Sequence, residues 1–272
     1  MNKLINEKIL VCYLITKFDN EDTLLTFLKN YKNFKSGYPH ELLICFKLFD
    51  NEKLNIFRKL LLNISYTEFI DNHIHNDFDL GSYSRVALNY KSRLIFFLNS
   101  YSYPICDNWL DIIIQNYEEN SILATSASYE SLLSSIKLKK FYKFLKYWIK
   151  IISYKKFFYP FPNPHIRTTG FLIKGNDYFK FMSNKLIKSK IDAWKIESGK
   201  NSLTNYLKKL NYNIYVINSD GNKFSEKYWK NSQTYNFSEQ NKSIISDKHI
   251  RKYHSLDNNE KLKFQFDTWG RD

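Results

Sequence analysis

Three features of this 272-residue chain predict an α/β fold with a mostly parallel sheet flanked by helices. From residue 9 onward, short apolar runs alternate with helical patterns as strand, helix, strand, helix, strand, the signature of parallel connections. Each run ends in polar residues, so the strand ends would converge on one crevice. The run from Arg93 to Leu98 leads into the corner Asn99-Ser100-Tyr101-Ser102. A buried strand ending in a polar corner is where open α/β sheets bind their ligands.

In order, Ile9 to Leu14 is a compact apolar run fit for a central strand. Phe18-Asp19-Asn20 offers capping side chains before EDTLLTFLKNYKNF, where Leu24, Leu25, Phe27, Leu28 and Tyr31 recur at helical spacing. A second strand, Glu41 to Phe49, ends at Asp50-Asn51 and precedes a helix carrying Leu54, Phe57, Leu60 and Leu61. A third, Tyr66 to Ile70, ends at Asp71-Asn72. His73 and His75 follow in a loop; on a strand, H-x-H places both rings on one face, but only Asp71 and Asp77 are near as further ligands. Next come a glycine turn at Gly81 and a short helix with Arg85. Lacking Cβ, Gly81 would let backbone approach a diphosphate, with Ser82 and Tyr83 as donors. Arg85, Lys91 and the helix N-terminus would favour phosphate oxygens.

Beyond the corner, NWLDIIIQNYEEN reads as a helix and SILATSAS as a further strand. Residues 136–161 then carry eight lysines and ten aromatics. Leu138, Phe141, Leu145, Trp148 and Ile152 form one helical stripe and Lys139, Lys143, Lys146 and Lys150 another. This pattern suits an amphipathic helix at an anionic lipid interface. A helix docked on the sheet with a lysine-rich outer face has the same pattern. Bases stacked between basic and aromatic residues are a weaker alternative, since no RNA-binding signature accompanies the stretch.

Pro160, Pro162 and Pro164 end that segment. HIRTTGFLIKGNDYFKF supplies His165, Arg167, a strand through Ile173, a turn at Gly175-Asn176-Asp177 and a helix. In DAWKIESGKNSLTNYLKKLNYNIYVI, Glu197 is read as the acid opening a helix that runs to Leu210, ahead of a strand from Tyr212 to Ile217. From Asp220 the pattern weakens into a polar extension with isolated aromatic anchors and one short helix in HIRKYHSL.

The formal charge of +14 invites a polyanionic partner: nucleic acid, anionic membrane or a phosphate-rich substrate. Three well-separated cysteines, Cys12, Cys45 and Cys106, suggest buried thiols and neither a disulfide framework nor a zinc site. The N-terminal stretch reads as a first strand in place of a signal peptide, and no stretch approaches 18 apolar residues; both lead to the expectation of a cytoplasmic protein. No P-loop, G-x-S-x-G, internal repeat or Cys/His cluster is found.

Taken together, the glycine, the helix with its arginine and the strand LIFFLNS resemble the nucleotide-sugar glycosyltransferases of the GT-A fold. The resemblance is strongest to bacterial family-2-like enzymes of surface-polysaccharide synthesis, of capsule or lipopolysaccharide. FLIKGNDYF resembles their F-L-I-x-R-x-x-F, and Glu197 matches the place of their helix-opening Glu-Asp base. The resemblance covers about residues 8–220. It implies a Rossmann-like GT-A domain over 1–220 with 221–272 as a C-terminal extension packed on it. It further implies a nucleotide-sugar donor, a glycan or lipid-linked glycan acceptor, and inversion with one general base. Donor contacts would come from Thr16, Lys17, Asp50, Asp79, Gly81, Ser82, Tyr83, Arg85, Asn99 and Ser100. Acceptor contacts would come from His165, Arg167, Lys200 and Asn201. The base would be Glu197, with Asp192 as the alternative. The family's Asp-x-Asp corner is here Asn99-Ser100-Tyr101, whose amide, hydroxyl and phenol are poor ligands for Mg²⁺ or Mn²⁺. No metal site and no cofactor are therefore assigned, although a divalent metal would be usual for the family. An anionic membrane surface is the expected further partner, placing the protein on the inner face of the cell membrane, and nucleic acid is not. A non-catalytic basic module on anionic membrane or nucleic acid is the alternative.

Overall fold

The computed structural model describes residues 9–137 and 144–271. Its first half follows the predicted alternation: β1 (Ile9–Thr16), α1 (Glu21–Asn33), β2 (His40–Lys47), α2 (Asn51–Leu60), β3 (Thr67–Asp71), α3 (Phe78–Asn89) and β4 (Leu94–Leu98). The starts of α1 and α2 are fixed locally, because Asn20 and Asp50 accept bonds from the Thr23 and Lys53 backbone amides, at 3.0 and 2.8 Å. After the corner come β5 (Tyr103–Pro104), α4 (Trp109–Ile114), β6 (Ser121–Ala124), β7 (Ala127–Ser128) and α5 (Phe144–Phe157). They are followed by β8 (His165–Ile166), β9 (Gly170–Lys174), α6 (Gly175–Met182), α7 (Lys190–Ser198), α8 (Leu203–Lys209) and β10 (Asn213–Ile217). Residues 221–272 add β11 (Lys223–Phe224), β12 (Ile245–Ser246), α9 (Lys248–His254) and α10 (Asn258–Trp269).

One eight-stranded sheet, in the order β11-β10-β6-β9-β4-β1-β2-β3, organises these elements. The fold is thus mixed α/β with a large, mostly parallel sheet, as predicted. The pairs β1·β2, β2·β3, β1·β4 and β6·β10 are parallel, whereas β9 runs antiparallel to both β4 and β6. Alternation along β1 divides the core in two. Leu10, Cys12 and Leu14 face one apolar cluster; Ile9, Val11, Tyr13 and Ile15 face the other. The order reverses direction at β1, with β2 on one side and β4 on the other, so the carboxyl ends of β1 and β4 flank a topological switch point. The Asn99 corner lies there.

Three local readings need correction, and a fourth is described only in part. Gly81 does not lie in a turn but inside α3, where its missing Cβ makes room for the Asp77 carboxylate. The turn expected at Gly175-Asn176-Asp177 is instead the first turn of α6. Glu197 does not open a helix: α7 ends at Ser198 and a new helix starts after Ser202. Two caps set this division, since Ser189 accepts a bond from Asp192 N and Ser202 from Asn205 N, both at 3.3 Å. Finally, the basic aromatic stretch is described only in part. Its helix α5 spans Phe144–Phe157, while Leu138, Lys139, Phe141 and Lys143 lie outside the described residues.

Candidate active site

A cavity of about 780 Å³ opens at the carboxyl end of the sheet. Asp79 of α3 and Asn99 with Tyr101 of the corner form one wall. His165 to Thr169, around β8, and Trp194, Glu197 and Ser198 of α7 form the second. Tyr235, Asp247, Lys248, His249, Phe266 and Asp267 of the C-terminal extension close the third.

Three carboxyl groups are held there in unfavourable surroundings: Glu197, Asp79 and Glu130, the last also raised by burial against a bond from Ser128. Burial pushes the Glu197 carboxyl up to about 7, the nearby Asp79 charge adds to the rise, and a bond from Thr168 Oγ1 at 3.2 Å opposes it. Burial likewise raises Asp79 to about 6, against the pull of Lys47 and a bond to Asn99. Glu197 therefore exchanges its proton near neutrality, the range in which a general base serves well. Burial drives His165 the other way, down to about 4, so its ring is neutral; Nδ1 lies 2.8 Å from the Asn163 carbonyl and donates to it. The remaining ring nitrogen is then an acceptor.

Arg167 is the largest cation of the second wall, but its charge is spoken for. Its Nη1 lies 2.6 Å from Asp247 Oδ2, and its guanidinium stacks 3.9 Å from the centroid of Tyr235. Burial opposes ionisation of Asp247, yet Arg167 outweighs it and holds the carboxyl down at about 2. Asp247 also accepts bonds from the amides of His249 and Ile250, at 2.7 and 3.0 Å, and so caps α9. The extension is further tied to the corner: β12 pairs with β5, and Arg251 Nη1 donates to the Tyr101 carbonyl at 3.1 Å. Lys248 Nζ stands 5.4 Å from the Tyr101 ring centroid. None of Asp247, Lys248, His249 or Tyr235 was singled out from sequence. Their stretch has no periodic pattern, and the sole local signal was the acid-first helix start Asp247-Lys248-His249.

Five of the predicted residues thus meet in one cavity: Asp79, Asn99, His165, Arg167 and Glu197. The others are placed differently. Gly81, Ser82 and Tyr83 are buried in α3; Tyr83 packs 4.5 Å from Phe97, and Ser82 donates to Asp71 Oδ2 at 2.5 Å. Arg85, expected to meet phosphate, is bonded to Asp71 at 2.6 Å and to Asp77 at 2.7 Å, and Lys47 joins the same cluster. Lys91, in the turn after α3, stands 4.5 Å from the Phe179 ring centroid. Thr16 bonds Asp19 at 2.7 Å, and Ser100 turns its hydroxyl to the same Asp19 at 3.2 Å. Lys17 is exposed, its carbonyl taken by Lys53 Nζ at 2.5 Å. Asp50, the α2 cap, lines a smaller depression with Asp19 and Lys53. Asp192 is not on the cavity: it accepts from Ser189 Oγ at 2.8 Å and pairs with Lys195 at 3.0 Å. The Lys200 amide bonds the Phe157 carbonyl at 2.7 Å, its Nζ takes the Lys155 carbonyl at 2.7 Å, and Asn201 is exposed beside it.

The corner does not suit a divalent cation. Asn99 Oδ1 already accepts from Tyr101 N at 3.2 Å and Ser102 Oγ at 2.8 Å. Among the described residues no three His, Cys, Asp or Glu side chains gather as a cation cage, the loop of His73 and His75 included.

No family model matches the sequence, and no curated protein matches it. Solved structures do. The apo-form glycosyltransferase GlyE of Streptococcus pneumoniae is similar at 12% identity and a TM-score of 0.47, over 96% of this chain and 63% of that one. The bifunctional IspDF of Campylobacter jejuni is similar at 11% and 0.42, over 83% and 54%. The mannosyltransferase Ktr4p of S. cerevisiae is similar at 11% and 0.38, over 65% and 60%. The chain therefore spans between half and two thirds of the length of these structures.

Proposed function

We propose that the protein is a glycosyltransferase. It moves a sugar from a nucleotide-sugar donor to a hydroxyl of a glycan or lipid-linked glycan, with inversion, in the synthesis of a surface polysaccharide and at the inner face of an anionic membrane. The observation that carries this reading is that Glu197 and Asp79 line one cavity at the switch point of a mostly parallel sheet. Glu197 takes the proton of the acceptor hydroxyl. The freed oxygen attacks the anomeric carbon, and the nucleoside diphosphate leaves toward the Asn99 corner. With its remaining acceptor nitrogen, His165 orients a substrate hydroxyl. Arg85 is already paired, so the charge of the leaving group is met by cations of the extension, with Lys248 beside Tyr101 the best placed.

A thermal melt with uridine and guanosine diphosphates tests the reading against that of a non-catalytic basic module. A diphosphate at about 100 times its Kd should add roughly 2.7 kcal/mol, several degrees in Tm. No shift with any nucleoside diphosphate would leave the basic module as the better account. The corner makes a second prediction: EDTA should leave transfer within about twofold of the untreated rate. Loss with EDTA and recovery with Mn²⁺ would refute the cation-free corner.

A further inference from the structure

Helix α5 has no buried residue along its 14 positions, although it is rich in large apolar side chains. Leu145, Ile149 and Ile152 are 76%, 65% and 59% exposed, with Trp148 and Phe144 exposed beside them. At about 100° per residue these five fall on one arc of roughly 140°. Tyr147 and Tyr154, half-buried, lie on the far side, and half-buried Ile151 lies at the edge beside Phe144. An exposed apolar stripe of this kind calls for a covering surface. The charges around it are of one sign: Lys146 lies beyond one edge of the stripe, Lys150 on the side opposite it over the Tyr154 ring, Lys155 and Lys156 on the arc itself in the last turn, and α5 carries no acid. The whole chain, at +14, adds to that field.

The helix is also fixed relative to the cavity. Lys200 bonds the carbonyls of Lys155 and Phe157, and Lys195 Nζ lies 4.1 Å from the Phe157 ring centroid. Both lysines belong to the segment that carries Glu197. On the other side, the chain leaving α5 passes directly to Phe161 and His165, which line the cavity.

We infer that α5 lies in the surface of an anionic lipid bilayer and seats the mouth of the cavity on it. Apolar side chains enter the acyl boundary, Trp148 sits at headgroup level, and the lysines meet anionic headgroups. Resting on the transferase reading, this makes the acceptor a membrane-borne one, presented to Glu197 from the bilayer side.

The test is co-sedimentation of the full chain with phosphatidylcholine vesicles with and without phosphatidylglycerol. Binding is expected to need phosphatidylglycerol and to fall steeply between about 0.05 and 0.5 M salt, as surface charge is screened. Replacing Lys146, Lys150, Lys155 and Lys156 with Gln should weaken it by on the order of 10²–10³-fold. Brominated lipid should quench part of the tryptophan emission, and Trp148→Phe should remove most of that quenching. Wild type that ignores anionic vesicles overturns the inference, as does quenching that Trp148→Phe leaves unchanged. Self-association without lipid, abolished by Leu145→Ser with Ile149→Ser, would instead assign the stripe to a second copy of the chain. Sedimentation does not depend on nucleotide, so its failure and that of the melting test are told apart.

Discussion

Glu197→Gln is expected to lower kcat by about 10²–10⁴-fold while leaving donor binding near wild type. The change keeps the shape of the side chain and its bond from Thr168, and removes only the ability to take a proton. Donor binding is spared because the base acts on the acceptor. The pH profile makes the assignment specific. With its carboxyl pushed up to about 7 by burial, wild-type kcat should rise about tenfold per pH unit below 7 and level off above it. In the Gln variant that limb should vanish. Stability moves the opposite way. A carboxyl whose folded-state pKa is raised contributes stability that is complete below the unfolded value and lost as pH rises through 7. At pH 8, Glu197→Gln should therefore melt no lower than wild type. Near-wild-type turnover would refute the assignment, and inactivity of Asp192→Asn would move the role to a residue that the structure keeps off the cavity.

The fold was legible where local chemistry and periodicity agree. The run of β1 with its alternating faces, the capped starts of α1 and α2, and the apolar β4 all follow from residues close in sequence. The direction of β9 was not legible, because a buried run such as GFLIK carries no mark of parallel or antiparallel pairing. Gly81 illustrates a second limit. A glycine before an arginine fits a phosphate turn and an intrahelical contact alike, and only the position of Asp77 decides between them. Arg85 is similar: its two carboxylates arrive from β3 and the loop after it, and their pairing makes the cluster internal. The contribution of the extension was hidden for a different reason. Asp247 matters through Arg167, which is 80 residues away, and no spacing rule reports such a pair.

That pair carries the largest expected effect on stability. Arg167→Met should destabilise the fold by about 3–5 kcal/mol, because it leaves the carboxylate of Asp247 buried without its partner. Methionine keeps apolar contact with the Tyr235 ring, so the loss reports mainly on charge. The extension should loosen first, since Arg167 is the cation holding Asp247 and hence the start of α9, and limited proteolysis should cut within residues 221–272 before the sheet opens. Acid should narrow the gap. In wild type Asp247, held down at about 2, contributes stability that is present above the unfolded value near 4 and lost as pH falls through 2. In the variant the carboxyl loses its cation and is protonated more readily, so the difference from wild type should be large at pH 7 and shrink toward pH 4. Adding Asp247→Asn to Arg167→Met should restore much of the loss at pH 7, because asparagine still caps α9 and carries no charge to bury. A single variant within 1 kcal/mol of wild type at pH 7, with the extension resistant to protease, would show that the buried pair does not hold the third wall of the cavity in place.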